Sequence, residues 1–145
     1  MKRIQRSILG VTLLEIMLVL AIAAMVIVMS IRYYQSSTSS QQANAAMQSI
    51  QAIAAAMDNI SNGGAGTYSN ITQDDLKSVV GSNNMISPTN VAIELTAVSS
   101  STYSIQLPLN TGICDSVRVK LAGNSKITSP TCTDGILTYT YDSTK

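Results

Sequence analysis

The chain has 145 residues, of which only 12% are charged, and its nine Lys and Arg against eight Asp and Glu give a formal net charge of +1. Because no basic stripe runs through it, we do not expect a nucleic-acid partner. The chain contains no His, which excludes imidazole acid–base chemistry and removes the usual nitrogen ligand of zinc. We find no catalytic, cofactor-binding or metal-binding motif, so the sequence argues against an enzyme. The length predicts one domain plus an N-terminal segment.

The N-terminal segment combines cations with a long apolar run. Lys2, Arg3 and Arg6 precede Gly10, and residues 11–31 then form an apolar run whose only charged residue is Glu15. A charge at the centre of a membrane helix costs at least about 2.5–3.5 kcal/mol on insertion scales. Glu15 therefore needs a partner, and the run itself provides none.

Two general interpretations explain the segment without explaining Glu15. A cleavable secretory signal has a basic start, an apolar core and a small-residue cleavage site, which Ala21-Ile22-Ala23 would supply. Glu15 would then lie in the middle of that apolar core. A signal anchor needs about 20 apolar residues to cross the hydrocarbon layer, and the cations would keep its N-terminus in the cytoplasm.

The residues around the glutamate closely resemble the N-terminal motif of type IV prepilins. The motif consists of the basic leader, the glycine and its spacing to the glutamate, in the sequence Gly10-Val11-Thr12-Leu13-Leu14-Glu15. The resemblance implies that a prepilin peptidase cleaves between Gly10 and Val11 and that Val11 becomes N-methylated. It also implies that Glu15 is the assembly carboxylate, which neutralises the N-terminal amine of a neighbouring subunit.

The charges support such a pairing on physical grounds. The α-amino group that cleavage would create is largely cationic at neutral pH. Two opposite charges buried together cost far less than either charge buried alone. In a staggered bundle of identical helices, Glu15 of one subunit can lie near the Val11 amine of the next.

The same resemblance predicts partners and location. The expected partners are further copies of the chain in a helical homopolymer, the prepilin peptidase, the pilus assembly machinery and the inner membrane, and the expected end point is an extracellular pilus (fimbrium). Val11 instead of Phe at the first mature position is a departure that the IVb branch of the family tolerates, whereas the leader of ten residues lies between the usual lengths of the two branches. We expect a IVb-like major subunit. The sequence leaves open whether the pilus serves adhesion, motility, DNA uptake, conjugation or phage reception.

Two other functions remain as alternatives. The chain could be a minor pilin or a type II secretion pseudopilin, although major pseudopilins usually lack a C-terminal cysteine pair. From a different class, it could be a membrane-anchored binding protein that does not polymerise.

One helix is predicted over residues 11–59, because no Gly or Pro interrupts them. Its second half carries one apolar stripe, typical of a helix packed on a globular head: Ala46, Ile50, Ile53, Ala54, Met57 and Ile60. We therefore expect a leader over residues 1–10, a transmembrane or filament-core helix over 11–31, an amphipathic helix over 32–60 and a head over 61–145. The apolar half is expected to protrude from the head.

The head is predicted to be α+β, with three to five antiparallel strands lying over the amphipathic half of the helix. Thr72 to Asp75 resembles a capping box that starts a short helix, which Gly81 ends. Period-2 alternation predicts strands over residues 91–98, 102–107 and 136–141. The first strand is expected to place its apolar residues on one face, and the second to face its apolar residues inward: Val91, Ile93, Leu95 and Ala97 for the first, and Tyr103, Ile105 and Leu107 for the second. Residues 114–121 fit a strand or a helix, and we favour the helix.

Cys114 and Cys132 are predicted to form a disulfide, since paired cysteines in a small exported domain usually do; two unpaired buried thiols are the alternative. The bridge would tie the segment after Cys114 to the last strand. The adjacent Asp74 and Asp75 could suggest a calcium site, but acidic residues at a helix N-terminus are the commoner explanation.

Overall fold

The computed structural model describes residues 12–64 and 66–145. The chain divides into two compact units, of which one ends at Ser37 and the other covers Thr38–Lys145. The long helix α1, Leu13–Gly63, contributes residues to both units. The predicted boundaries at residues 10, 31 and 60 stay predictions.

The described part of the chain has the predicted α+β class, with a long N-terminal helix, a four-stranded antiparallel sheet and a disulfide. The elements after α1 are the helices α2 (Gln73–Val80) and α3 (Thr111–Leu121) and the strands β1 (Glu94–Val98), β2 (Thr102–Pro108), β3 (Ile127–Thr133) and β4 (Ile136–Asp142). A short 3₁₀ turn, Ser82–Met85, follows α2.

The second half of α1 buries the stripe that the sequence predicts. Ala46, Ile50, Ile53 and Met57 are buried, and their spacing of four, three and four residues places them on one face. These side chains belong to the same core as the inward residues of the sheet. The apolar stripe therefore explains why this half of α1 packs on the head.

The sheet has the order β1-β2-β4-β3. On β2 the buried residues are Tyr103, Ile105 and Leu107, as predicted, and they pair in register with Tyr141, Tyr139 and Leu137 of β4. Because paired residues share a face, these six side chains lie together on the face of the sheet that packs against the core.

The prediction for the first strand is wrong in part. The strand begins at Glu94, and although Ile93 is buried, Val91 and Ala97 are exposed. The pairing with β2 shifts register between Leu95 and Ala97. An extra residue in one strand turns the following side chains to the opposite face, and simple alternation cannot anticipate it.

Strand β3 was not predicted from the sequence. Pro130 lies inside it, Ser129 has a φ of 51°, and its pairing with β4 shifts between Thr128 and Thr131. Proline is confined to edge strands and bulges, which is where β3 lies. Because Cys132 lies in β3, the disulfide joins α3 to β3 and not, as we expected, to the last strand.

The ambiguous segment after the first cysteine is helical, as we favoured. In α3, Ile113, Val117 and Leu121 are buried, whereas Val119 is 65% exposed. A strand would have placed Val117, Val119 and Leu121 on one face, so the burial follows the helical period.

The short helix α2 begins and ends as predicted. The Thr72 hydroxyl accepts a hydrogen bond from the backbone N–H of Asp75 (3.2 Å), and the Asp75 carboxylate accepts one from the backbone N–H of Thr72 (3.0 Å). Gly81 follows the helix with a φ of 87°, a conformation that favours glycine.

Candidate functional site: the start of helix α1 and its apolar surface

Of the predicted site residues, Gly10 and Val11 lie outside the described residues. Glu15 is described, and it lies in the first turn of α1. In the described chain from residue 12 to residue 31, Glu15 is the only charged side chain.

Thr12 caps the start of α1. The backbone N–H of Glu15 donates to the Thr12 hydroxyl over 3.3 Å and to the Thr12 carbonyl oxygen over 3.0 Å. The N–H of Ile16 donates to the same carbonyl oxygen over 3.2 Å. Thr12 therefore satisfies the amide of Glu15, which would otherwise lack a partner within the helix, and its carbonyl oxygen accepts the first regular helical bond, from Ile16.

The position of Glu15 suits a negative charge. The first turn of a helix carries the positive end of its dipole, which favours an acidic side chain there. From the sequence we predicted only a partner for Glu15 in another subunit, and not this local role. The signal was available, because Thr12 and Glu15 have the Ser/Thr-x-x-Glu spacing of a capping box.

The apolar half of α1 exposes its large side chains. Their exposed fractions run from 48% at Ile16 to 80% at Leu13. By length and composition, this helix is a candidate membrane span. Monomeric soluble proteins rarely expose a contiguous apolar surface of this size, so lipid or other protein is needed to cover it.

A polar side chain in the apolar half of α1 forms its hydrogen bond within the helix. The Ser30 hydroxyl donates to the carbonyl oxygen of Val26 over 2.8 Å, a bond that suits a helix in an apolar environment. Arg32 and Tyr33 follow directly, and Tyr33 is 80% exposed. Cations and tyrosines favour the boundary between lipid and water.

The disulfide predicted between Cys114 and Cys132 is confirmed, with a Cα–Cα distance of 6.0 Å. It links α3 to β3 and closes a loop over a sequence separation of 18 residues. In the chain-entropy model, a loop of this size stabilises the fold by about 3 kcal/mol.

A tyrosine cluster fills part of the core. The rings of Tyr68 and Tyr103 meet edge to face at 5.2 Å, and those of Tyr103 and Tyr141 stack at 5.0 Å. The Tyr68 hydroxyl donates to the Asp58 carboxylate over 2.6 Å. Burial first, and then this bond, raise the pKa of Tyr68, while burial raises the pKa of Tyr103 and Tyr139. Burial thus keeps the hydroxyls of Tyr68, Tyr103 and Tyr139 in the neutral form.

The two adjacent aspartates of α2 contact residues of the same helix and its cap. Asp75 accepts from the backbone N–H and the hydroxyl of Thr72, and these bonds lower the pKa of Asp75. Asp74 lies 3.8 Å from the Lys77 ammonium. Over the described ranges, no group of three His, Cys, Asp or Glu side chains could hold a metal ion.

A scan against protein-family models found no match to this chain, and searches of curated proteins and of solved structures found none either.

Proposed function

We propose that this chain is a type IV pilin subunit, which polymerises into an extracellular filament after its leader is removed between Gly10 and Val11. The observation that carries the proposal is the placement of Glu15. A lone acid lies in the first turn of a helix whose next sixteen residues are uncharged and exposed.

The position of the helix start supports the proposal. α1 begins at Leu13, two residues after the proposed new N-terminus at Val11. Cleavage there would leave the Thr12 cap and Glu15 intact and would place a cationic amine beside the apolar surface. Glu15 of one subunit and the Val11 amine of its neighbour would then bury opposite charges together.

The apolar surface supports storage in a membrane followed by polymerisation. A lipid bilayer and a bundle of apolar helices are similar surroundings for residues 13–31. The helix can therefore leave the membrane for a filament core without exposing its side chains to water. Contacts between different faces of identical subunits produce a helical fibre when the rotation from one subunit to the next does not close a ring.

The test combines shearing of cells with mass spectrometry of the mature N-terminus. We expect this chain in sheared extracellular filaments, with a methylated Val11 as its first residue. An intact Met1, or a chain cut after Ala23, would overturn the proposal. A chain processed at Val11 that stays wholly in the membrane fraction would instead support the anchored binding protein.

A further inference from the structure

Strand β1 lies at one edge of the sheet. An edge strand presents backbone N–H and C=O groups that can pair with a strand of another chain. In this head, backbone N–H and C=O groups on the outer side of Val91 to Leu95 instead form hydrogen bonds within the chain. One set bonds to a backbone segment, and the other bonds to a side chain.

The segment Met85 to Ser87 covers the first part of this edge. The N–H of Ser87 donates to the carbonyl oxygen of Val91, and the N–H of Ile93 donates to that of Met85, each over 2.8 Å. An antiparallel bridge between Ile86 and Ala92 lies between these two bonds. This cover ends at the N–H of Ile93.

The side chain of Gln73 covers the next part. Its amide nitrogen donates to the carbonyl oxygen of Ile93 over 2.8 Å, and its amide oxygen accepts from the N–H of Leu95 over 2.8 Å. The carboxamide thus offers β1 one donor and one acceptor, as a peptide group of a neighbouring strand would. After Leu95 the register shift begins, and a bulge of this kind disrupts further pairing.

The fold holds Gln73 in place for this contact. Gln73 is the first residue of α2, directly after the Thr72 cap. Leu76, one turn further along, is fully buried in the core and anchors the helix. The carboxamide is therefore positioned by a cap on one side and by a buried side chain on the other.

We propose that Gln73 closes the β1 edge against antiparallel pairing with β1 of a second copy of this chain. A second copy is the fitting occupant because Lys77 and Glu94 line the groove beside this edge. In a second copy related by two-fold symmetry, the same two residues run in the reverse direction, so that Lys77 of each copy would face Glu94 of the other. The proposal concerns the head alone and does not depend on the proposed function.

The opposite edge of the sheet, strand β3, is interrupted by its own backbone. Pro130 has no N–H to donate, and Ser129 adopts a positive φ within β3. On the β1 edge, by contrast, loss of the Gln73 side chain would free the carbonyl oxygen of Ile93 and the N–H of Leu95.

The test uses the full chain, reconstituted as one molecule per lipid nanodisc so that the apolar helix is shielded. Gln73→Met keeps the length of the side chain but removes its donor and acceptor. Ser78→Met, at an exposed position of the same helix, is the matched control for an added methionine. Hydrogen exchange by NMR and sedimentation of the discs over a range of concentrations are the two measurements.

For Gln73→Met we expect exchange of the Leu95 amide to become about tenfold faster, because this amide loses one hydrogen bond. We also expect the discs to associate as their concentration rises. Ser78→Met should show neither effect. Three results would overturn the proposal: unchanged exchange at Leu95, faster exchange at Leu95 without association, or equal association of both variants. Faster exchange throughout β2 and β4 would also overturn it, since Gln73 would then support the fold and not the edge.

Discussion

The backbone N–H of Glu15 lies 3.3 Å from the hydroxyl oxygen of Thr12 and donates to it. This bond gives the start of α1 a cap, and it places the acidic side chain of Glu15 in the turn where the helix dipole favours it. The cap acts within one chain, whereas the proposed assembly role of Glu15 acts between chains. Substitutions at the two residues should therefore have different consequences.

Thr12→Ala should weaken the start of the helix without removing the charge. The loss of a threonine cap costs about 1 kcal/mol, so the amides of Glu15 and Ile16 should exchange faster in nanodiscs. The yield of sheared filaments should remain near that of the parent chain. If Thr12→Ala lowered the filament yield as far as we expect from loss of the Glu15 charge, the cap and not the charge would control assembly.

Removal of the disulfide should loosen the head. Cys114→Ser combined with Cys132→Ser should lower the free energy of unfolding by about 3 kcal/mol, measured by thermal melting in detergent with near-UV circular dichroism of the tyrosines. Reductant should lower the melting temperature of the parent chain and leave that of the double variant unchanged. A parent chain whose melting does not respond to reductant would show that the bridge contributes little.

Gly135→Ala should destabilise the head strongly. A Cβ at Gly135 would lie 2.5 Å from the carbonyl oxygen of Leu109, and the φ of Gly135 is 77°. Steric and backbone strain of this kind costs on the order of 1–3 kcal/mol. Gly112→Ala is the matched control, because a Cβ there meets nothing within 4 Å. Because Gly112 lies in the first turn of α3, this alanine should stabilise by less than the roughly 0.5–1 kcal/mol of a mid-helix position. Equal effects of the two substitutions on urea unfolding would contradict the account.

The head should lose stability in alkali. The pKa values of Tyr68, Tyr103 and Tyr139 are raised in the folded state, whereas an unfolded tyrosine titrates near pH 10. A raised folded-state pKa gives stability that is present below the unfolded value and is lost as pH rises above it. We expect the phenolate absorbance of these residues to appear together with unfolding above about pH 10. Ionisation of these buried tyrosines in a head that remains folded would be inconsistent with their burial.

Much of the fold follows from the pattern of apolar residues. The buried faces of α1, β2 and β4 have simple periods of 3.6 or 2, uninterrupted by Gly or Pro. Such a period places the apolar residues on one face, where they can be buried together, so the sequence predicts these elements well. The capping box at Thr72 is equally local, because its two bonding groups are three residues apart.

The missed features depend on irregular backbone. In β3, Pro130 and the positive φ of Ser129 break the alternation that marks a strand. The Asp134-Gly135 pair was the available signal. Both residues have positive φ, at 51° and 77°, as a two-residue hairpin turn requires. The contact of Gln73 with β1, by contrast, joins residues about twenty positions apart, and no local pattern encodes it.

Glu15→Gln gives the most direct test of the central claim, because it removes the charge and keeps the size of the side chain. Membrane content and sheared filaments are measured in the same cells. The account predicts unchanged membrane content and a filament yield at least about tenfold lower, since the cationic N-terminus of the neighbour would be buried unpaired. A normal filament yield from Glu15→Gln would contradict it.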